Sequence, residues 1–150
     1  MKKILVISAL VIVCGGCEQQ ASLAQSSHIE QNQPVKLSAD AIVTVDSAYE
    51  NRASNVNVEG QGTIVKVLAD DNQGSRHQKF LVKVASGKTL LFAHNIDLAG
   101  RVENIQIGDQ VAFKGEYVFN PKGGVIHWTH HDPRGEHVAG WIKHHGNTYQ

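Results

Sequence analysis

The densest group of chemically active side chains lies in residues 127–137, near the carboxyl end. Zinc accepts imidazole and carboxylate ligands, and a catalytic zinc site uses three of them plus water. A strand that continued to His131 would place His127, Thr129 and His131 on one face. Pro133 would end that strand, and the following loop could return to the same point. The predicted ligands of this zinc site are His127, His131, Asp132 and His137.

The same histidines also suit a purely structural role. Each imidazole offers a donor and an acceptor, so these side chains could orient loops on a polar barrel rim, with Trp128 in the core. Their spacing matches no standard zinc motif. Both interpretations of the segment remain open at this point.

Two other polar segments, around Arg76 and between His94 and Arg101, hold groups suited to ligands, although the first also suits an ordinary hairpin loop and the second a polar network that closes the barrel. Arg76 and His77 are suited to phosphate or carboxylate. Asp97 would orient the ring of His94 if both lay on one helical turn. The second segment is expected to approach residues 127–137. The predicted ligand-binding residues are Arg76, His77, His94, Asn95, Asp97, Trp128 and His130.

The charge balance argues against a protein that coats duplex nucleic acid. The chain has 14 basic and 14 acidic side chains. Removal of a leader containing Lys2 and Lys3 would leave 12 basic against 14 acidic groups, whereas duplex binders usually carry a basic excess. Eight of the nine histidines lie between His77 and His145, so this region gains positive charge in mild acid.

The amino terminus is typical of a bacterial export signal. Two lysines precede the predominantly apolar run of residues 4–13, which is too short to span a membrane. Small residues before Cys17 resemble a lipoprotein box, which predicts a signal peptide over residues 1–17 and a lipid anchor on Cys17. Glu18, the residue after Cys17, then favours sorting of the lipoprotein to the periplasmic face of the outer membrane. Cleavage after Ala24 is the alternative, and would release a soluble periplasmic or secreted protein.

Residues 18–37 are rich in Gln and Ser and predict a disordered tether. Residues 38–55 predict a short helical lead-in, capped by Ser38 and extending to about Ala53, although Ile42 and Val43 also suit a strand. Both cysteines lie in or beside the signal, so the mature domain is expected to contain no disulfide.

From residue 56 the hydrophobic period becomes two, which predicts a mostly β domain over 56–150. Five strands are expected, the last being Val125–Thr129, and a hairpin is expected between Trp141 and Tyr149. The strands are short and fairly evenly spaced, with one longer connection after the third. That pattern favours a small five-stranded barrel of the oligonucleotide/oligosaccharide-binding (OB) topology.

Three stretches resemble a family of small exported bacterial proteins, the domain of unknown function DUF3465. They are residues 70–78, residues 94–99 and the segment Gly123–Pro133. The resemblance covers about residues 60–150. It implies a discrete domain of this length behind a signal or lipoprotein leader, and it implies no activity.

Three functions therefore stand as hypotheses. A ligand-binding module for an oligonucleotide, an oligosaccharide or another envelope polymer is the first. A metal-dependent hydrolase acting on phosphodiesters is the second, with a zinc ion activating water and Asp132 or Asp97 orienting it. A structural or assembly lipoprotein is the third. The residues favour a binding module over an enzyme. The expected partners are the membrane, through a lipid anchor on Cys17, and a polymeric or small anionic ligand.

Overall fold

The computed structural model describes residues 42–150. Within them the chain is built from strands and one short helix. The predicted signal, the tether and Ser38 lie outside these residues. The elements are β1 (Ile42–Val43), α1 (Val45–Glu50), β2 (Ser54–Val67), β3 (His77–Val84), β4 (Thr89–Asn95), β5 (Gln110–Val118), β6 (Val125–His127), β7 (Trp141–His144) and β8 (Asn147–Tyr149). No helix in this part of the chain has the length and apolar character needed to cross a bilayer.

Five strands close into a barrel in the order β2-β3-β4-β6-β5, because β2 also pairs with β5. All pairs in the barrel are antiparallel except β4 with β6, which run parallel. This is the strand order of the OB topology, and it confirms the predicted fold class. β1 adds to the side of β2, and the β7–β8 hairpin extends from β5.

β2 is the long curved strand that makes closure possible. Its first part pairs with β5, its last part pairs with β3, and the register shifts at Ile64/Lys66. A Cβ at Gly62 would lie 2.5 Å from the carbonyl oxygen of Lys83. Glycine therefore allows the two strands to approach at the bend.

Buried and more exposed residues alternate along β3, β4 and β5, so every second side chain points into the barrel. The ring of Phe92 stacks on Phe80 with centroids 5.1 Å apart and meets the edge of Phe113 at 4.9 Å. Aliphatic side chains from every barrel strand surround these rings. The buried members of this core include Val58, Ile64, Val82, Leu90, Val111 and Ile126.

Helix α1 covers the end of the barrel where the β3–β4 and β5–β6 turns lie. Tyr49 packs against Phe119 at 5.5 Å and its hydroxyl donates to the Pro121 carbonyl oxygen. The predicted lead-in helix through Ala53 is too long. Helix α1 begins after Thr44, whose Oγ1 accepts the Ser47 N–H, and the two residues before Thr44 pair with β2 as a strand. Their β-branched side chains favour that pairing.

The prediction that a fifth strand continues to Thr129 is wrong by two residues. β6 ends at His127 because Trp128 adopts a φ of +49°, which breaks the alternation. The chain then leaves β5 and returns to the same edge at Trp141, opposite Lys114. We call residues 128–140 the excursion.

The predicted final hairpin is confirmed as β7 and β8. Its two turn residues, His145 and Gly146, have φ values of +46° and +81°. Positive φ at both positions is the signature of a type I′ turn, whose twist matches that of the strands.

Candidate functional site

Strand register gathers polar side chains on the outside of β3, β4, β5 and β6. His77 lies opposite Asn95, and Glu116 lies opposite His127. All four alternate with buried neighbours, so they project outwards. Together with Lys79 of β3 and with Trp128 and His137 of the excursion, they form what we call the histidine face.

Glu116 lies between two histidines at the centre of this face. Its Oε1 is 3.2 Å from Nε2 of His127, and its Oε2 is 3.8 Å from Nδ1 of His137. The Nε2 atom of His127 is shielded from solvent and makes no hydrogen bond. Burial lowers the pKa of His127, and the Glu116 carboxylate opposes that shift. His127 is therefore neutral near pH 7 and offers a lone pair or a proton at a sheltered point.

The indole of Trp128 forms an aromatic platform beside this group. It stacks on the imidazole of His137, with centroids 3.7 Å apart and an interplanar angle of 21°. The ring of His130 packs on it at 5.2 Å. Trp128 is half-buried, so part of its surface remains available to a ligand.

Asp132 organises the excursion. Its Oδ1 accepts the Arg134 N–H, and its Oδ2 accepts the N–H groups of Glu136 and His137. These backbone donors, the Arg134 N–H foremost, hold the pKa of Asp132 below its usual value. The carboxylate thereby fixes the turn that brings His137 back over Trp128, in keeping with the returning loop expected after Pro133.

The structure does not bring the four residues predicted to bind zinc together at one point. His127 and His137 both approach Glu116, whereas both oxygens of Asp132 accept hydrogen bonds from backbone N–H groups of the loop. His131 is exposed and belongs to no group of ligating side chains in the described part of the chain. The physical reason is the end of β6 at His127, since the shared face required a strand that continued to His131.

Two predicted ligand-binding residues are buried instead. His94 is fully buried, with Nδ1 2.8 Å from Oγ1 of Thr129 and Nε2 3.0 Å from the Gly100 carbonyl oxygen. Burial lowers its pKa. His130 is buried too, and its Nδ1 contacts the His131 carbonyl oxygen. The contact between His94 and Thr129 confirms that the two distant segments converge.

Arg76 and Asp97 pair with each other at the rim of the barrel. The Arg76 backbone N–H and Nε donate to the two oxygens of Asp97, each at 2.7 Å, and the arginine lowers the pKa of that carboxyl. Asp97 does not contact His94, because the chain after β4 forms a turn in which Asn95 Oδ1 accepts the Asp97 N–H. Arg101 pairs with Asp70 on the same rim.

Four residues of these sites were not predicted from the sequence: Glu116, Asp109, His144 and His145. Glu116 occupies an outward position of the fourth barrel strand, which the alternation of β5 could have indicated. Among residues 42–150, the one group of three ligating side chains with atoms within 4.8 Å of one another is Asp109, His144 and His145. Its parts come from a turn and a hairpin whose pairing the sequence does not reveal.

A search of curated proteins gave no match to this chain. The family model for a protein of unknown function, DUF3465, matches residues 29–150, which include every strand and both groups of histidines just described. The chain therefore belongs to the DUF3465 family.

Proposed function

We propose that the domain is a binding module of the bacterial envelope that holds an oligosaccharide strand on the histidine face. The single observation that carries the proposal is the Trp128 platform, fixed against His137 at 3.7 Å beside the polar side chains of Glu116 and His127. An aromatic surface with a few oriented polar groups is the usual composition of a selective small-ligand site. OB barrels bind oligosaccharides and oligonucleotides on this side of the sheet.

The charges around the face favour a sugar over a single-stranded nucleic acid. Two arginines of the rim and one of the excursion are each paired with a carboxylate: Arg76 with Asp97, Arg101 with Asp70 and Arg134 with Glu136. Glu116 adds a carboxylate at the centre of the face. Single-stranded nucleic-acid sites combine stacking with a positively charged groove along the backbone. A neutral chain of sugars requires no such groove.

The proposed compartment follows from the leader. We propose that Cys17 is lipidated and that the module sits at the periplasmic face of the outer membrane, with soluble export after Ala24 as the alternative. Either route would bring the histidine face to the polymers of the envelope.

The test is a titration of the purified full-length chain with a neutral β-linked hexasaccharide and, separately, a six-nucleotide thymidine oligomer. Binding of the sugar with a change in tryptophan fluorescence is expected. Trp128→Asn, which tolerates the positive φ, should abolish it. Trp141→Leu, on β7, should retain it. Preference for the oligonucleotide would reverse the choice of ligand, and failure to bind either would leave the hydrolase and structural-lipoprotein hypotheses.

A specific observation also favours the second candidate, a zinc-dependent hydrolase of phosphodiesters. The shielded, unbonded Nε2 of His127 faces a carboxylate that a second histidine also approaches. Two imidazoles and one carboxylate are a known catalytic zinc set, in which the metal lowers the pKa of bound water. Glu116, His127 and His137 would then be the ligands in place of the predicted set, after a side-chain movement that brings the ligating atoms of all three within 4.8 Å of one another.

Elemental analysis of the untagged protein, combined with an assay on a phosphodiester substrate, tests this candidate. Stoichiometric zinc and hydrolysis, both lost in Glu116→Gln, would place it ahead of the binding module. Phosphodiester turnover that is unaffected by Glu116→Gln, or no turnover with zinc added, would exclude it. Glu103→Gln, an exposed carboxylate outside the face, is the matched control.

A further inference from the structure

We propose that Asp109, His144 and His145 form a second, independent site that binds a divalent transition-metal ion. Nε2 of His144 lies 2.9 Å from Oδ2 of Asp109, and Nε2 of His145 lies 3.7 Å from Oδ1. The two imidazoles thus approach different oxygens of one carboxylate. All three ligating atoms lie within 4.8 Å of one another.

The fold positions each ligand separately. Asp109 lies in the turn that enters β5, and the Gln106 N–H donates to its Oδ2 at 2.7 Å, which orients the carboxylate. His144 lies at the end of β7 opposite Val111, two residues into β5. Its side chain is only 1% exposed, so the surrounding core restricts its rotation.

His145 completes the group from the turn of the β7–β8 hairpin. Its positive φ folds the ring back onto His144, with centroids 3.9 Å apart and an interplanar angle of 25°. Both Nε2 atoms consequently point to the same side, towards Asp109. The side chain of His145 is 62% exposed, so it is free to make the small movement that metal bonds of about 2.0–2.2 Å require.

The donor set defines the class of ion. Two imidazoles and a carboxylate suit zinc, copper, nickel and related ions, whereas calcium and magnesium prefer oxygen ligands alone. The exposure of His145 leaves room for water to complete the coordination sphere. The site has three protein ligands and an open side, which is the composition of a site that exchanges its ion or presents it to a ligand.

A purely structural hydrogen bond between His144 and Asp109 is the competing explanation. It accounts for the 2.9 Å contact, but it gives no role to His145, whose ring stacks on His144 and points at the second oxygen. Metal binding accounts for all three side chains. The two explanations differ in what happens when His145 is replaced.

The experiment measures zinc and nickel affinity of the untagged full-length chain by calorimetric titration, with thermal unfolding as a second readout. His145→Asn keeps a residue that tolerates positive φ and should remain folded. We expect His145→Asn to weaken the metal affinity of the first binding event by roughly 10- to 100-fold. Loss of a residue that only supports a metal ligand already has an effect of this size. Asp109→Asn should weaken that affinity at least as much.

His131→Asn is the matched control, because His131 is exposed and lies outside every described ligand group. It should bind zinc and nickel as the unmodified chain does. Equal weakening in His131→Asn would mean adventitious binding by surface histidines and would overturn the proposal. So would metal binding whose number of sites and affinities are unchanged in His145→Asn, or the absence of any metal binding. None of these outcomes depends on whether the histidine face binds a sugar.

Discussion

His94 shows how a titratable side chain can become part of a barrel interior. It is fully buried, and its two ring nitrogens contact Thr129 and Gly100. In a sequence, a histidine is as typical of ligand binding or proton transfer as it is of a structural role. Only its inward position, two residues after Phe92 on the same side of β4, explains why it joins the two segments instead of facing a ligand.

We predict that His94 makes the domain less stable in mild acid. Burial lowers its folded pKa below the unfolded value of about 6.5, so the unfolded chain binds the proton more readily. Its contribution is therefore fully present above about pH 6.5 and is lost as pH falls through the folded pKa. Urea unfolding of the unmodified chain should show a steeper loss between about pH 7.5 and 5.5 than that of His94→Gln.

His131→Gln is the control for this prediction, since the exposed His131 should leave the pH profile unchanged. His94→Gln should also lower the free energy of unfolding in neutral buffer by about 1–3 kcal/mol, because the hydrogen bond to the buried Thr129 or the one to Gly100 is lost. Identical pH profiles for the unmodified chain and His94→Gln would contradict the assignment.

At the scale of the element, the excursion of residues 128–140 is the part of the fold that creates the histidine face. On the same edge of β5, β6 pairs with residues 116–118 and β7 pairs with residues 111–114, so the excursion joins two strands that share that edge. It places Trp128 and His137 beside Glu116. Its order depends on Asp132, since three backbone N–H groups converge on that carboxylate.

We predict that Asp132→Ala loosens the excursion without unfolding the barrel. The N–H groups of Arg134, Glu136 and His137 would lose their acceptor, and the ring of His137 would leave Trp128. Trypsin cleavage after Arg134 should accelerate by about tenfold or more, since cleavage tracks the population of the opened loop. The tryptophan emission should change in parallel.

Asp71→Ala is the matched control, because Asp71 accepts the Gln73 N–H in the β2–β3 loop at a distance from Arg134 in the sequence. It should leave cleavage after Arg134 unchanged. If Asp132→Ala lost the whole circular-dichroism signal of the β-sheet cooperatively, the excursion would be part of the folding unit of the barrel. That result would contradict a local role for Asp132.

At the scale of the whole molecule, the described residues form an OB barrel with a helix over one end and a short hairpin on one edge. The end opposite α1 carries the β2–β3 loop and the β4–β5 connection, held together by the pairs Arg76–Asp97 and Arg101–Asp70. The two proposed sites belong to different parts of this barrel. A module of this kind needs attachment or export to reach an envelope polymer.

We predict that Cys17 carries the lipid anchor. Cells given an alkyne-labelled fatty acid should yield labelled protein in the membrane fraction, and Cys17→Ser should abolish the label. Cys14→Ser should retain it, since the lipoprotein signal requires the cysteine at the cleavage point. An unlabelled, soluble protein whose first residue is Gln25 would instead establish cleavage after Ala24.

The sequence by itself determined the mostly β fold class and five barrel strands, the last of them two residues shorter than predicted. Period-two alternation, the glycines of β2 and the turn residues act locally, so they identify the barrel and even the final hairpin without reference to long-range contacts. The predicted export signal is also a local pattern of charge and apolar length. Such features can be read along the chain because each depends on neighbours within a few residues.

Only the tertiary structure decided which side chains meet. Glu116 faces His127 because of the β5–β6 register, and Asp109 reaches His145 through the β5–β7 pairing and a turn with positive φ. The single positive φ of Trp128 ended β6 and separated His131 from His127, which divided the predicted zinc ligands. Register and backbone dihedrals place residues that are far apart in sequence, and one change in either redirects every side chain that follows.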